Sequence, residues 1–269
     1  WSSLVGSEMC IRDRFNIDAE VKESAHARVN LIGEHTDYTG GYVMPTLLSF
    51  KNTIEISQNN SNEFTVYSQH FKEKKTFNDF KKSSSNEWVD YIKGCLHIFF
   101  DENKISSRFL SIFISSDIPL ERGISSSSAL CVATLKTLNT FFETKINDPE
   151  IAKLAKTVEL NDIGVSGGIM DQMVSSIGIH GKAFFMNCKN LEYELINFPE
   201  NWKFCLIDSE VQRNLRDSSY NERFAELQEA EKKLGVEYLG EVKKENFQTN
   251  RFDNNTCLLY TSDAADDTD

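Results

Sequence analysis

The sequence predicts a protein of interleaved strands and helices, α/β or α+β, in one large domain or two smaller ones. Three observations point there. The 269 residues are enough to bury a large core, and 40% hydrophobic with 26% charged residues is an ordinary globular composition. Several short runs are apolar throughout or alternate apolar with polar, the strand pattern. Between them, apolar residues recur at helical spacing.

Along the chain, 29–32 and 42–50 are apolar runs on either side of the Gly40-Gly41 turn and read as strands. Residues 53–57 and 63–68 alternate like strands, and 81–86 is a polar loop. Trp88, Ile92, Cys95, Leu96 and Phe99 share a helical face, and 109–115 alternates again. A glycine- and serine-rich loop at 119–128 opens a helix that runs through Thr134 and Leu138. Asp148-Pro149 reads as a helix N-cap followed by proline, with Ile151, Leu154, Ala155 and Val158 on one face. A second glycine-rich turn covers 164–168, residues 204–207 read as a buried strand, and 223–234 as a helix. A boundary near 187–201 divides a first domain, 15–190, from the start of a second, 191–256.

The ends read differently. Residues 1–14 lack periodicity, and 257–269 end in a run rich in aspartate. Both resemble translated sequencing-adapter read-through, so 1–14 and 257–269 are expected to be non-native. The net charge is -12, and -8 without the four aspartates among the last eight residues. An acidic chain argues against a nucleic-acid partner, whose phosphates need clustered Lys and Arg. No stretch has the length of a membrane span, and no signal-peptide pattern is seen. Six scattered cysteines without short paired spacing argue against a zinc or disulfide framework and for a reduced, cytoplasmic setting.

Three stretches carry candidate chemistry. In Arg28-Val29-Asn30-Leu31-Ile32-Gly33-Glu34-His35-Thr36-Asp37-Tyr38, polar groups follow directly on an apolar run. Carboxylates and an imidazole there suit a polyhydroxyl ligand, and they suit a charged surface turn as well. In Gly123-Ile124-Ser125-Ser126-Ser127-Ser128, a glycine and four serines open a helix. Free amides and the helix dipole can hold an anion there. The alternative is a polar turn with a serine cap; the Walker Gly-Lys-Ser/Thr is absent. In the third, Glu159 precedes Gly167-Gly168-Ile169-Met170-Asp171-Gln172. The glycines allow close backbone approach, and Asp171 is either an acceptor for a hydroxyl proton or a helix N-cap.

Together the three stretches resemble the GHMP small-molecule kinases, and 30–38 is very close to the galactokinase signature. The resemblance extends over 15–256, including Trp88, Tyr91 and Gly94, Asp208-Ser209-Glu210-Val211, and Asp217-Ser218-Ser219-Tyr220. It implies an α+β, two-domain GHMP kinase fold: an N-terminal domain like ribosomal S5 domain 2 and an incomplete ferredoxin-like C-terminal domain. It implies phosphorylation of the anomeric hydroxyl of galactose by ATP with Mg²⁺, and no obligate protein partner. By resemblance, Glu34, His35, Asp37, Gly168 and Tyr220 hold the sugar, and Asp171 with Arg28 is the catalytic pair. Gly123, Ser125, Ser126 and Ser127 form the nucleotide loop, and Ser127 and Glu159 the Mg²⁺ ligands. Another monosaccharide 1-kinase, arabinokinase-like, and a silent galactose and ATP sensor are the alternatives. The chain departs from the family pattern at Glu121, in place of a loop glycine, at His26-Ala27, where Pro-Gly is usual, and at Gly167, where cysteine is common. The third glycine-rich motif is missing, so a truncated, inactive fragment is expected.

Overall fold

The structure, a computed structural model, describes residues 10–80, 87–119, 122–208 and 218–242, the side chains of 218–223 excepted. It is α+β: an eight-stranded mixed sheet with helices packed on it. In chain order the elements are α1 (Ile11–Phe15), β1 (Val21–Asn30), β2 (Tyr42–Val43), β3 (Pro45–Gln58), β4 (Phe64–Ser68) and β5 (Glu73–Phe77). Then follow α2 (Val89–Asn103), β6 (Leu110–Ser116), α3 (Ser126–Phe141), α4 (Asp148–Thr157), a π turn (Val158–Ile163) and α5 (Met170–Ile177). β7 (Lys182–Asn187), β8 (Tyr193–Asn197) and α6 (Ser218–Leu234) complete the regular structure.

The sheet runs β2-β7-β3-β6-β4-β5, with β1 also on β3 and β8 on β7. All recorded strand pairs are antiparallel except β4 with β6. Alternation along β3 sets its two faces. Ile54 and Ile56, fully buried, join the main core beneath α2, α3 and α4. Glu55 points the other way, where its carboxylate accepts from the Ile11 amide at 2.8 Å and pairs with Lys22 at 2.9 Å. Ile11, inside the stretch expected to be non-native, is 1% exposed and packs with Tyr67 and Phe113.

Several expectations shift. The strand read at 29–32 is the end of β1, whose buried positions are the small Ala25 and Ala27. The run read at 42–50 divides into β2 and the start of β3, which continues through 53–57 as one 14-residue strand. An irregularity opposite Ala27, between the pairs His26–Lys51 and Arg28–Leu47, absorbs the break in pattern without ending the strand. The α4 N-cap is Asn147 rather than Asp148: its side chain accepts from the Glu150 amide at 3.0 Å, and Pro149 lies in the first turn. Residues 204–207 are not a buried strand. Phe204 and Leu206 are each 47% exposed and Ile207 is 88% exposed, and no strand among the described residues pairs with them. An apolar pattern cannot become a strand without a neighbour to take its hydrogen bonds. β8 pairs with β7 in the main sheet, beyond residue 190. The loop expected at 81–86 and Glu121 lie outside the described residues.

Candidate active site

The irregularity in β3 sits beside Arg28, near the C-terminal end of β1. Arg28 donates its amide to the Ile124 carbonyl at 3.2 Å, which brings β1 against the loop before α3. Its side chain then joins two distant segments. Nε donates to Asp171 Oδ1 at 2.6 Å and Nη2 to Oδ2 at 2.7 Å, while Nη1 donates to the Gly123 carbonyl at 2.9 Å. This is the two-pronged guanidinium–carboxylate geometry, which fixes orientation as well as distance. The Ser125 hydroxyl also donates to Asp171 Oδ2. Gly123 (φ 72°) and Ser125 (φ 61°) both take left-handed backbone, a tight turn that is strained at a serine. Ser125 is the residue before α3, yet its hydroxyl makes no cap bond and serves Asp171 instead.

The first motif folds into a turn pinned by the buried Thr36, whose hydroxyl donates to the carbonyls of Gly33 at 2.8 Å and Tyr42 at 2.6 Å. His35 is left-handed (φ 67°) and its Nδ1 meets the Tyr38 hydroxyl; Glu34 is exposed on the same turn. Asp37, partly buried, lies against Gly168. A Cβ on Gly168 would come within 2.1 Å of Asp37 Oδ2, so only glycine permits the contact. The first and third motifs therefore meet here. Loss of surrounding water raises the Asp37 pKa to about 7; Asp171 adds to the rise, while Arg28 and Lys156 oppose it. Tyr220 falls in α6, four residues before Phe224, whose ring packs edge-on against Tyr38. The Tyr220 side chain is not among those described.

A second polar cluster lies at the start of α3. Glu159, 6% exposed, sits in the π turn, and its Oε2 accepts from the Ser128 hydroxyl at 2.8 Å and from Gln172 Nε2. Burial raises its pKa, and hydrogen bonds from Ser127, Ser128 and Gln172 counter that rise. Ser127 and Glu159 are thus neighbours. Sequence reasoning did not single out Ser128, Gln172 or Lys156. Gln172 follows Asp171 directly, and that adjacency was the available signal. An open depression of about 450 Å³ lined by Ser61, Glu63, Thr76 and Asn78 lies at the β4–β5 edge, apart from these groups.

The strand-end guanidinium, the serine-rich helix start and the carboxylate held between them fall within segments that match known kinase families. The family model for the GHMP kinases N terminal domain matches residues 90–178, and the galactokinase galactose-binding signature matches 12–58. The galactokinase of Thermotoga petrophila is 35% identical over 229 residues, 85% of this chain and 64% of its own length. The structure of Lactococcus lactis galactokinase complexed with galactose superposes with a TM-score of 0.79 at 29% identity, covering 91% of this chain and 66% of that one. Methanococcus jannaschii mevalonate kinase shares the fold, with a TM-score of 0.56 at 19% identity over 90% of this chain and 76% of its own. The chain is a relative of the galactokinases and carries, over residues 90–178, a match to the GHMP kinases N terminal domain. It spans 64% of the length of the first curated relatives it matches.

Proposed function

We propose that the chain carries the sugar-binding and phosphate-binding parts of a galactose 1-kinase. The observation that carries this reading is the Arg28 guanidinium, which joins the acidic residue of the third motif to the loop of the second. Two substrates must meet in such an enzyme, and Asp171 stands where their sites would touch. Glu34, His35 and Asp37, with Tyr220 from α6, take the sugar hydroxyls, and the backbone at Gly168 lets Asp37 sit close. The amides at the start of α3, with Ser125, Ser126 and Ser127, face the phosphates of ATP, because a helix N-terminus presents unpaired N–H groups and positive potential.

Phosphoryl transfer asks the protein chiefly for position and charge. Asp171, fixed by Arg28 and Ser125, orients the anomeric hydroxyl and receives its proton as the oxygen bonds to the terminal phosphorus and ADP departs. The family implies Mg²⁺, and the residues fit it. Ser127 and Glu159 offer hard oxygen donors, and Gln172 Oε1 is a buried oxygen with no partner among the described residues. Ser127 and Glu159 would hold the ion, which would neutralise charge on the phosphates.

The test is product formation. The natural reading frame containing this chain, given ATP and galactose, should yield galactose 1-phosphate by ³¹P NMR, and Asp171→Asn should lower kcat by about a hundredfold. A frame that binds neither galactose nor ATP would overturn the reading. Near-normal kcat in Asp171→Asn would remove Asp171 from its role.

A further inference from the structure

Asp171 and Gln172 occupy successive positions on α5, so they leave the helix about 100° apart and meet different neighbours. Asp171 meets Arg28 and Ser125. Gln172, 5% exposed, meets the Glu159 cluster. Its Nε2 donates to Glu159 Oε2 and lies 3.4 Å from the Ser128 hydroxyl, which itself donates to the same Oε2 at 2.8 Å. Two donors on one oxygen fix the rotation of the carboxylate and so the direction in which Oε1 points, with Ser127 also hydrogen-bonded to this carboxylate. The arrangement is costly to bury, since Gln172 Oε1 has no partner among the described residues. Glu159 also stands in a π turn rather than an α-helix, a local insertion that often marks functional positions.

We propose that Gln172 is a positioning residue for the nucleotide's cation: with Ser128 it holds Oε2 of Glu159 and so presents Oε1 to a divalent ion beside Ser127. The inference rests on the assignment of Ser127 and Glu159 as cation ligands. It deepens that assignment by naming what aims the carboxylate.

The experiment is a calorimetric titration of the full chain with ADP, once with excess Mg²⁺ and once with EDTA, with galactose binding measured on the same samples. Wild type should bind ADP more tightly with Mg²⁺. Gln172→Met, similar in volume and without the amide, should lose about tenfold of that Mg²⁺-dependent gain, the scale seen when a group orienting a metal ligand is removed. Its ADP affinity in EDTA and its galactose affinity should stay unchanged, which a general loss of structure would not allow. Ser128→Ala, which removes the other donor to the same oxygen, should also lose part of the gain. If Gln172→Met loses galactose binding and so fails to fold, Ser128→Ala decides alone. A full wild-type Mg²⁺ gain in the folded variants overturns the proposal. Wild type that binds ADP with no Mg²⁺ gain overturns it together with the cation assignment, and wild type that binds galactose but no ADP overturns the phosphate-loop assignment as well.

Discussion

Asp37 offers a quantitative test, because its pKa of about 7 places its titration in an accessible range. A carboxylate with that pKa is roughly one-tenth ionised at pH 6, half at pH 7 and nine-tenths at pH 8. If sugar hydroxyls donate to its oxygens, the ionised form is the one that binds. Galactose affinity should then rise by nearly tenfold from pH 6 to pH 8, and binding at pH 7 should release about half a proton per site. Calorimetry of galactose binding in two buffers of different ionisation enthalpy reads that proton directly. Asp37→Asn should flatten the pH profile and abolish the release. Proton uptake on binding, or affinity that falls as pH rises, would mean that Asp37 meets the sugar protonated or not at all, and the assignment of the first motif would fail. The same shift bears on stability. A carboxyl whose folded pKa is raised contributes stability that is complete below its unfolded pKa of 3.8 and lost as pH rises through about 7. Asp37→Asn should therefore stabilise the ligand-free chain at pH 8 by at most about 4 kcal/mol, read as a raised Tm, and much less at pH 4.

Other variants probe the same geometry. Gly168→Ala, whose Cβ would meet Asp37 Oδ2 at 2.1 Å, should displace Asp37 and weaken galactose binding by at least about tenfold, measured by titration, while ADP binding holds. Arg28→Lys keeps the charge and loses the two-pronged contact to Asp171, so it should cost about 1–3 kcal/mol in thermal or denaturant unfolding and not restore turnover. Ser125→Gly relieves a left-handed serine and removes one donor from Asp171 and one hydroxyl from the phosphate loop; kcat should fall and nucleotide affinity should weaken, read by steady-state kinetics and titration.

Much of the fold was legible because alternation and helical spacing report burial directly. Residues 63–68, 88–99, 109–115 and 223–234 lie at elements observed there. What was hidden had physical reasons. β1 buries Ala25 and Ala27, too small to stand out, and flanks them with Lys22, Glu23 and His26. β5, Glu73–Phe77, reads as polar because charged residues suit a strand at the sheet's edge. Residues 204–207 carried the apolar signal of a strand but have no pairing strand among the described residues. The site was legible mainly through family resemblance. Arg28 and Asp171 are 143 positions apart, and local chemistry left each motif divided between a ligand site and a surface turn, a serine cap or an N-cap. Ser125 was read as a phosphate residue from its loop, and its bond to Asp171 needed the fold to appear. Gln172 was in view without a role, because helix phase alone does not say which neighbour fills the space it faces.

The most direct test of the central claim, that the three motifs build one site for two substrates, is crossed binding. Galactose and Mg·ADP are titrated into wild type, Asp37→Ala and Ser127→Ala. The account predicts that Asp37→Ala loses about 1–3 kcal/mol of galactose affinity and keeps ADP, while Ser127→Ala weakens Mg·ADP and keeps galactose. Asp37→Ala that binds galactose normally and ADP poorly would reverse the assignment of the two motifs and contradict the account.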